Sequence, residues 1–106
     1  MANFQHLTDR AGQFRFHLRA NNGEIILASE GYTTKVSARN GVVSVRANAP
    51  NDARYECKQT AAGWSFNLKA ANGEVIGTSE VYGSAQARDG GIESVKRNAP
   101  GAAEKE

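Results

Sequence analysis

The chain has few of the residues that bind metals or form disulfide bonds. Its 106 residues include one cysteine, Cys57, and two histidines, His6 and His17. A single cysteine excludes an internal disulfide and a cysteine-rich metal site, and no cysteine–histidine cluster has the spacing of a zinc site. The sequence therefore predicts no metal and no other cofactor. A lone thiol is also more typical of the reducing cytosol than of secreted proteins, so we expect a cytoplasmic location.

Long apolar runs and targeting signals are missing as well. No stretch approaches the roughly 20 apolar residues that a membrane-spanning helix needs. Residues 1–10 lack the basic region followed by an apolar region that marks a signal peptide. We therefore expect no membrane partner. With 40% hydrophobic and 23% charged residues, the composition is that of one globular domain.

The common motifs of nucleotide-binding enzymes are absent. There is no Gly-x-x-x-x-Gly-Lys-Ser/Thr loop and no Gly-x-Gly-x-x-Gly after a predicted strand. The two histidines lie on predicted strands, and His17 lies on the polar side of its strand, which favours an exposed histidine. The sequence thus predicts a protein that is not an enzyme.

What the chain has instead is a long internal repeat. Residues 14–50 recur without gaps as residues 64–100, at an offset of fifty positions. Each copy is too small to close a core alone, so the two copies predict one domain, residues 1–106, built from two similar units. Repeat one covers about residues 1–50 and repeat two about residues 51–100, and we expect residues 101–106 to form a polar tail.

Each repeat contains a predicted hairpin. Residues 14–20 and 64–70 alternate apolar and polar side chains with the period of a strand buried on one face. An Asn-Gly pair follows at 22–23 and at 72–73, which predicts a type I′ turn. The returning strands run over 24–29 and 74–79, where the inward parity is ambiguous because residues 25 and 26 are both apolar.

Shorter strands precede the hairpins, at residues 4–8 and 54–58. The offset of fifty places Leu7 opposite Cys57. This pairing predicts that Cys57 acts as a small buried hydrophobic residue.

The pattern becomes helical over residues 33–48 and 83–98, where Thr33, Thr34 and Ser84 are candidate N-caps. Apolar residues share one face of the first helix: Ala38, Val42, Val45 and Ala49. A glycine inside each helix, at 41 and 91, predicts a close approach of the helix to the sheet. An Asn-Ala-Pro sequence then ends both helices, so that each unit is β-β-β-α.

The repeat resembles a known family. The strings Asn72-Gly73-Glu74-Val75-Ile76-Gly77-Thr78-Ser79-Glu80-x-Tyr82 and Gly91-Ile92-x-Ser94-Val95-Lys96-x-Asn98 are similar to the YegP-like DUF1508 family, UPF0339. The resemblance covers about residues 4–100. It implies an α+β fold: tandem β-β-β-α units share one antiparallel sheet with exchanged strands, and two helices pack on the sheet. The family carries no established activity, so it implies no catalytic residues.

A polar motif at the junction of strand and helix occurs in both repeats. Its residues are Ser29, Glu30, Tyr32, Ser79, Glu80 and Tyr82. They could line a polar ligand site or a motif-free enzyme site. The alternative is structural: the carboxylate complements the helix N-terminus while the tyrosine packs beneath the first turn. Recurrence favours the structural interpretation, because a folding requirement recurs in both units.

Basic residues are concentrated in repeat one rather than repeated throughout. They are Arg15, Arg19, Lys35, Arg39 and Arg46, and their counterparts are Ser65, Lys69, Ala85, Asp89 and Lys96. A solvated charged face is the ordinary explanation, and a polyanion-binding surface is the other.

These observations predict a small non-enzymatic interaction module whose partner the sequence does not identify. The leading hypothesis is binding through the solvent face of the sheet or through its edges, where an open edge can accept a strand of a protein partner. The alternative is weak binding of nucleic acid or another polyanion through the basic residues of repeat one, and an enzyme at the Ser-Glu-x-Tyr junctions comes third. Because two units are fused in one chain, we expect a monomer.

Overall fold

The computed structural model describes all 106 residues as one seven-stranded sheet and two α-helices. The strands are β1 (Asn3–Thr8), β2 (Phe14–Arg19), β3 (Ile25–Ala28), β4 (Tyr55–Thr60), β5 (Gly63–Lys69), β6 (Val75–Thr78) and β7 (Ala103–Lys105). The helices are α1 (Lys35–Asn48) and α2 (Ala85–Asn98), and a short 3-10 turn covers Asp52–Arg54.

The hairpins form where they are predicted, but the type I′ turn is wrong. No residue other than glycine has a positive φ, and Gly23 and Gly73 have φ of 86° and 88°. The Gly23 amide donates to the Ala20 carbonyl and the Ala20 amide donates to the Glu24 carbonyl, each at 2.9 Å. This is a three-residue loop whose last residue is left-handed, which only glycine adopts without strain.

A β-bulge explains the ambiguous parity of the returning strands. Leu18 pairs with Leu27 while Arg19 pairs with Ile25, so Ile26 has no direct partner. The pairing shifts at the same place in repeat two. Because of the extra residue, Ile26 and Leu27 are both buried although they are consecutive.

The helices follow the sequence prediction closely. Thr34 and Ser84 are the N-caps, and their side-chain oxygens accept from the amides of Ser37 and Ala87 at 3.1 and 3.0 Å. The predicted apolar face of α1 is fully buried: Ala38, Val42, Val45 and Ala49 are each 0% exposed. Neither helix is long and apolar enough to cross a membrane.

The strand order is β4-β5-β6-β3-β2-β1-β7, so the repeats meet at β3 and β6 in the centre. All pairs are antiparallel except β1 and β7, which are parallel, so the sheet is mixed rather than antiparallel throughout. The segment expected to be a polar tail contains β7, which crosses from repeat two to pair with repeat one. This is the exchanged strand that the family resemblance implies.

The core lies between the helices and one face of the sheet. It contains Phe16 and Leu18 from β2 and their counterparts Phe66 and Leu68 from β5, all 0% exposed. Since successive strand residues point to opposite faces, the residues between them lie on the opposite face, which no helix covers. We call it the helix-free face.

Candidate functional site

The serines of the Ser-Glu-x-Tyr motif hold the hairpins together. Ser29 Oγ accepts from the Phe16 amide at 2.9 Å and donates to the Glu30 carbonyl at 2.8 Å. Ser79 does the same with Phe66 and Glu80, at 2.9 and 2.7 Å. Both hydroxyl groups are thereby engaged by the backbone, at a point where the bulged strand leaves the regular ladder. These bonds support the structural interpretation of the serines.

The tyrosines of the motif pack beneath the helices. Tyr32 stacks on Phe16, with ring centroids 6.3 Å apart. Its hydroxyl group lies against Gly41, where a Cβ would stand 2.8 Å from Tyr32 Cζ, and Tyr82 lies against Gly91 in the same way. The glycines therefore accommodate tyrosine rings. Burial raises the pKa of both tyrosines, which favours the neutral phenol and makes a general-base role at neutral pH unfavourable.

The two glutamates of the motif are exposed. Glu80 lines a shallow depression of about 330 Å³ with Arg19, Glu24 and Ile25, whereas the serines and tyrosines do not line it. The motif is thus divided between structural hydroxyl groups and surface carboxylates rather than assembled into one site. No group of three or more His, Cys, Asp or Glu side chains is placed to hold a metal ion.

The five basic residues of repeat one lie in two separate places. Arg15 and Arg19 belong to the helix-free face, because Phe16 and Leu18 between them point into the core. Arg15 Nε lies 2.6 Å from Asp9 Oδ2, and this interaction lowers the pKa of Asp9. Arg19 Nε instead donates to Gln5 Oε1, at 2.7 Å.

The other three basic residues lie on α1 and contact the C-terminal strand. Lys35 and Arg39 approach the Glu106 carboxylate at 2.6 and 3.5 Å. Arg46 donates to the Ala102 carbonyl at 2.5 Å and covers the Phe4 ring, with Cζ 5.3 Å from the centroid. The five side chains therefore do not form a continuous cationic surface, and four of them contact acidic residues of this chain.

The two histidines lie on opposite faces of the sheet. His6 is on the helix-covered face, where its side chain is 6% exposed and Nε2 lies 2.8 Å from Glu104 Oε1. His17 is on the helix-free face and is half-buried rather than exposed. Burial lowers the pKa of His17, and the positive charge of Arg19 adds to this effect.

The strand β4 is an open edge that the sequence analysis did not locate. Its residues are nearly all exposed, and it pairs with β5 alone. Trp64 and Phe66 of β5 direct their backbone bonds to Tyr82 and Ser79, so their partners on β4, Gln59 and Cys57, point their own N–H and C=O groups outward. Neither Cys57 nor Gln59 is among the donors and acceptors of the backbone hydrogen bonds outside the sheet and helices.

The expectation that Cys57 is buried is wrong, because the thiol is exposed. Cys57 pairs with Phe66, whereas it is His6, not Leu7, that pairs with Phe16. The offset between β1 and β4 is therefore fifty-one, and the counterpart of Cys57 is His6. Glu104 of β7 lies against His6, whereas no strand lies beside Cys57, so the thiol is exposed. The signal that could have revealed this is a weaker repeat at fifty-one positions, which aligns Phe4 with Tyr55 and Ala11-Gly12 with Ala62-Gly63.

Comparison with known proteins places these features in a family context. The family model described as "Domain of unknown function (DUF1508)" matches residues 9–56 and 60–106. The UPF0339 protein in the ptx operon 5′ region of Stutzerimonas stutzeri is 59% identical over 59 residues, which are 56% of this chain and 53% of that protein. The UPF0339 protein YegP of Escherichia coli K12 is 57% identical over 51 residues, 48% of this chain and 46% of that one. The matched segment thus spans about half the length of each of these relatives.

Solved structures show the same fold over nearly the whole chain. The solution NMR structure of YegP from E. coli, a protein of unknown function, has a TM-score of 0.92 and 48% identity, covering 98% of this chain and 90% of that one. The UPF0339 protein SO3888 of Shewanella oneidensis has a TM-score of 0.92 and 45% identity, with 98% and 89% covered. With two matches of its family model and these relatives, the chain belongs to the DUF1508 family.

Proposed function

We propose that this protein is a non-enzymatic interaction module that binds an extended segment of a partner protein along β4. The observation that carries the proposal is the unpaired backbone of Cys57 and Gln59 on a six-residue edge strand. An extended peptide that adds to such an edge gains main-chain hydrogen bonds, and the neighbouring side chains set its specificity.

The opposite edge of the sheet supports this proposal because it is covered by a strand of the same chain. Strand β1 is equivalent to β4, but β7 covers it in parallel register from Asn3–Ala103 to Gln5–Lys105. The chain thus protects one edge with its own C-terminal segment and leaves the other open. Proteins usually protect long edge strands, because an open edge pairs with other chains.

The side chains of β4 indicate what the partner segment carries. Glu56 is engaged by Lys69 Nζ at 3.0 Å and by Asn67 Nδ2 at 3.3 Å. The adjacent Lys58 is exposed, and no carboxylate of this chain lies within ion-pair distance of it. An opposite charge directly across a strand pair is stabilising. The segment that fits best therefore carries an acidic residue opposite Lys58.

A substitution at Gln59 tests the open edge of β4 without altering the pairing of β4 with β5. Gln59→Pro removes an outward N–H that β5 does not use, so the fold tolerates it, whereas the matched Gln59→Ala keeps that N–H. Each variant is immobilised and exposed to extract of the source cells. We expect one protein to be retained by wild type and Gln59→Ala and lost with Gln59→Pro. In that complex, amide exchange should slow at Cys57 and Gln59.

Equal retention by the proline variant, or no retained protein at all, would overturn the proposal. Light scattering supplies the remaining control. We expect a monomer, and a dimer that Gln59→Pro dissociates would show that β4 pairs with a second copy instead of a partner.

A further inference from the structure

Equivalent cations in the two repeats have different partners. Arg19 and Lys69 lie fifty positions apart on β2 and β5. Gln5 and Glu56 occupy equivalent positions beside these two cations, because Gln5 lies opposite His17 and Glu56 lies opposite Asn67. In repeat two the pair is ionic, with Lys69 Nζ 3.0 Å from Glu56 Oε2. In repeat one the acid is replaced by an amide.

Arg19 is consequently held in place without an ion pair, although Glu24 and Glu80 line the neighbouring depression with it. Its Nε donates to Gln5 Oε1 at 2.7 Å and its Nη1 donates to the Gly23 carbonyl at 2.8 Å. Both acceptors are neutral, and no carboxylate lies within 4.0 Å of the guanidinium. A guanidinium has five N–H donors, so three are left for a ligand. The fixed orientation lowers the entropy lost when a ligand binds.

A second cation lies on the same face. In the parallel pairing of β7 with β1, Lys105 is the neighbour of Gln5, so its side chain also points to the helix-free face. A depression of about 290 Å³ lies between the two cations, lined by Asn3, Gln5, Arg19, Lys105 and Glu106. The Glu106 carboxylate is engaged by Lys35 and Arg39. All five lining residues are polar, so the depression suits a charged ligand.

We infer that Arg19 and Lys105 form a binding site for a single phosphate group, supplied free or on a small molecule. The arginine fork matches the geometry of phosphate oxygens, the lysine adds a second positive charge, and the Asn3 and Gln5 amides can donate further hydrogen bonds. The small polar depression suits one phosphate group rather than an extended polyanion. This site is separate from β4, because β4 forms one edge of the sheet and β1 and β7 lie at the other edge.

The decisive variant is Gln5→Glu, which gives Arg19 the carboxylate partner that Lys69 already has. The full chain is titrated with sodium phosphate and, separately, with glycerol phosphate, while amide and side-chain NMR shifts are followed. Sodium chloride of equal ionic strength is the control for general screening. We expect saturable shifts at Gln5, Arg19 and Lys105, and a weakening of about tenfold or more in Gln5→Glu and Arg19→Gln.

Two further measurements separate this site from general surface charge. Lys69→Gln removes the equivalent cation of repeat two and should leave the phosphate affinity unchanged. Bound phosphate should also raise the pKa of His17, which Arg15, Arg19 and Glu80 influence in the free protein and which lies directly opposite Gln5. Shifts that follow chloride equally, or that persist in Gln5→Glu, would overturn the inference. Saturation by glycerol phosphate alone would identify an organic phosphate as the ligand.

Discussion

Gly90 and Gly91 are adjacent in α2, yet their surroundings differ. A Cβ on Gly90 would meet no atom within 4 Å, whereas a Cβ on Gly91 would lie 2.7 Å from Tyr82 Cζ. The sequence correctly predicted a close approach at this helix glycine. It did not reveal what the glycine contacts, because the tyrosine lies nine positions upstream and the chain turns between them.

The glycine pair gives a matched test of this packing. Gly90→Ala should raise the free energy of unfolding by up to about 1 kcal/mol, since alanine has the higher helix propensity. Gly91→Ala should lower it by about 1–3 kcal/mol, because the methyl group displaces the Tyr82 ring. Urea denaturation of both variants measures the difference. Stabilisation by both substitutions would show that Tyr82 moves aside without cost.

At the scale of elements, the sequence best predicted the elements that depend on residues close together in the chain. Both helices, their caps and both hairpins depend on residues close together in the chain, and all lie where the pattern places them. The pairing of β1 was missed because strand register depends on loop length and on the facing strand. A weak repeat at an offset of fifty-one aligns Phe4 with Tyr55 and Ala11-Gly12 with Ala62-Gly63. It does not predict the exposure of Cys57, which arises because no strand covers β4.

The C-terminal strand β7 is also beyond local prediction, because three exposed residues form a strand only through partners on other elements. Its main anchor is Arg46, which reaches from α1 to the Ala102 carbonyl, to Glu104 at 3.9 Å and to the Phe4 ring. Ala102 itself is 3% exposed. The strand is therefore held at its start by a partly buried cation and a buried methyl group.

Removing this anchor should weaken the whole edge of the sheet. We expect Arg46→Ala to lower the free energy of unfolding by about 2 kcal/mol, through loss of a charge-assisted hydrogen bond to the backbone. Arg39→Ala on the same helix is the control, because its exposed pair with Glu106 is worth less than about 1 kcal/mol. Denaturation in urea, with amide exchange in β1, measures both effects. Equal losses in the two variants would contradict the role of Arg46.

At the scale of the whole molecule, the two repeats meet around Ala28 and Thr78, the single pair that joins β3 to β6. The residues beside them, Leu27 and Gly77, are equivalent in the repeats but differ in size. A Cβ on Gly77 would lie 2.5 Å from Leu27 Cδ2. One leucine thus fills the space of both positions. A fused chain can carry this asymmetry, whereas a symmetric dimer of identical repeats places the same residue at both positions.

The asymmetry predicts strong coupling between the two positions. Leu27→Gly should cost about 3–5 kcal/mol, because it leaves a cavity in the core and adds a flexible residue. Gly77→Leu should cost about 3 kcal/mol or more through overpacking. The double variant moves the leucine to the equivalent position of the other repeat. The shared core has the same residue type in both repeats at three pairs of positions: Phe16 and Phe66, Leu18 and Leu68, Val45 and Val95.

We therefore expect the double variant to be more stable than either single variant, within about 2 kcal/mol of wild type. A double-mutant cycle from urea denaturation gives the coupling energy directly. The control pair is Leu27→Gly with Gln59→Ala on β4, which two strands separate from β3, so that the losses should add. Additive losses at Leu27 and Gly77 would show that the two halves of the core are not interchangeable. Recovery of stability in the double variant would show that a single leucine, placed in either repeat, fills the space where the two repeats meet.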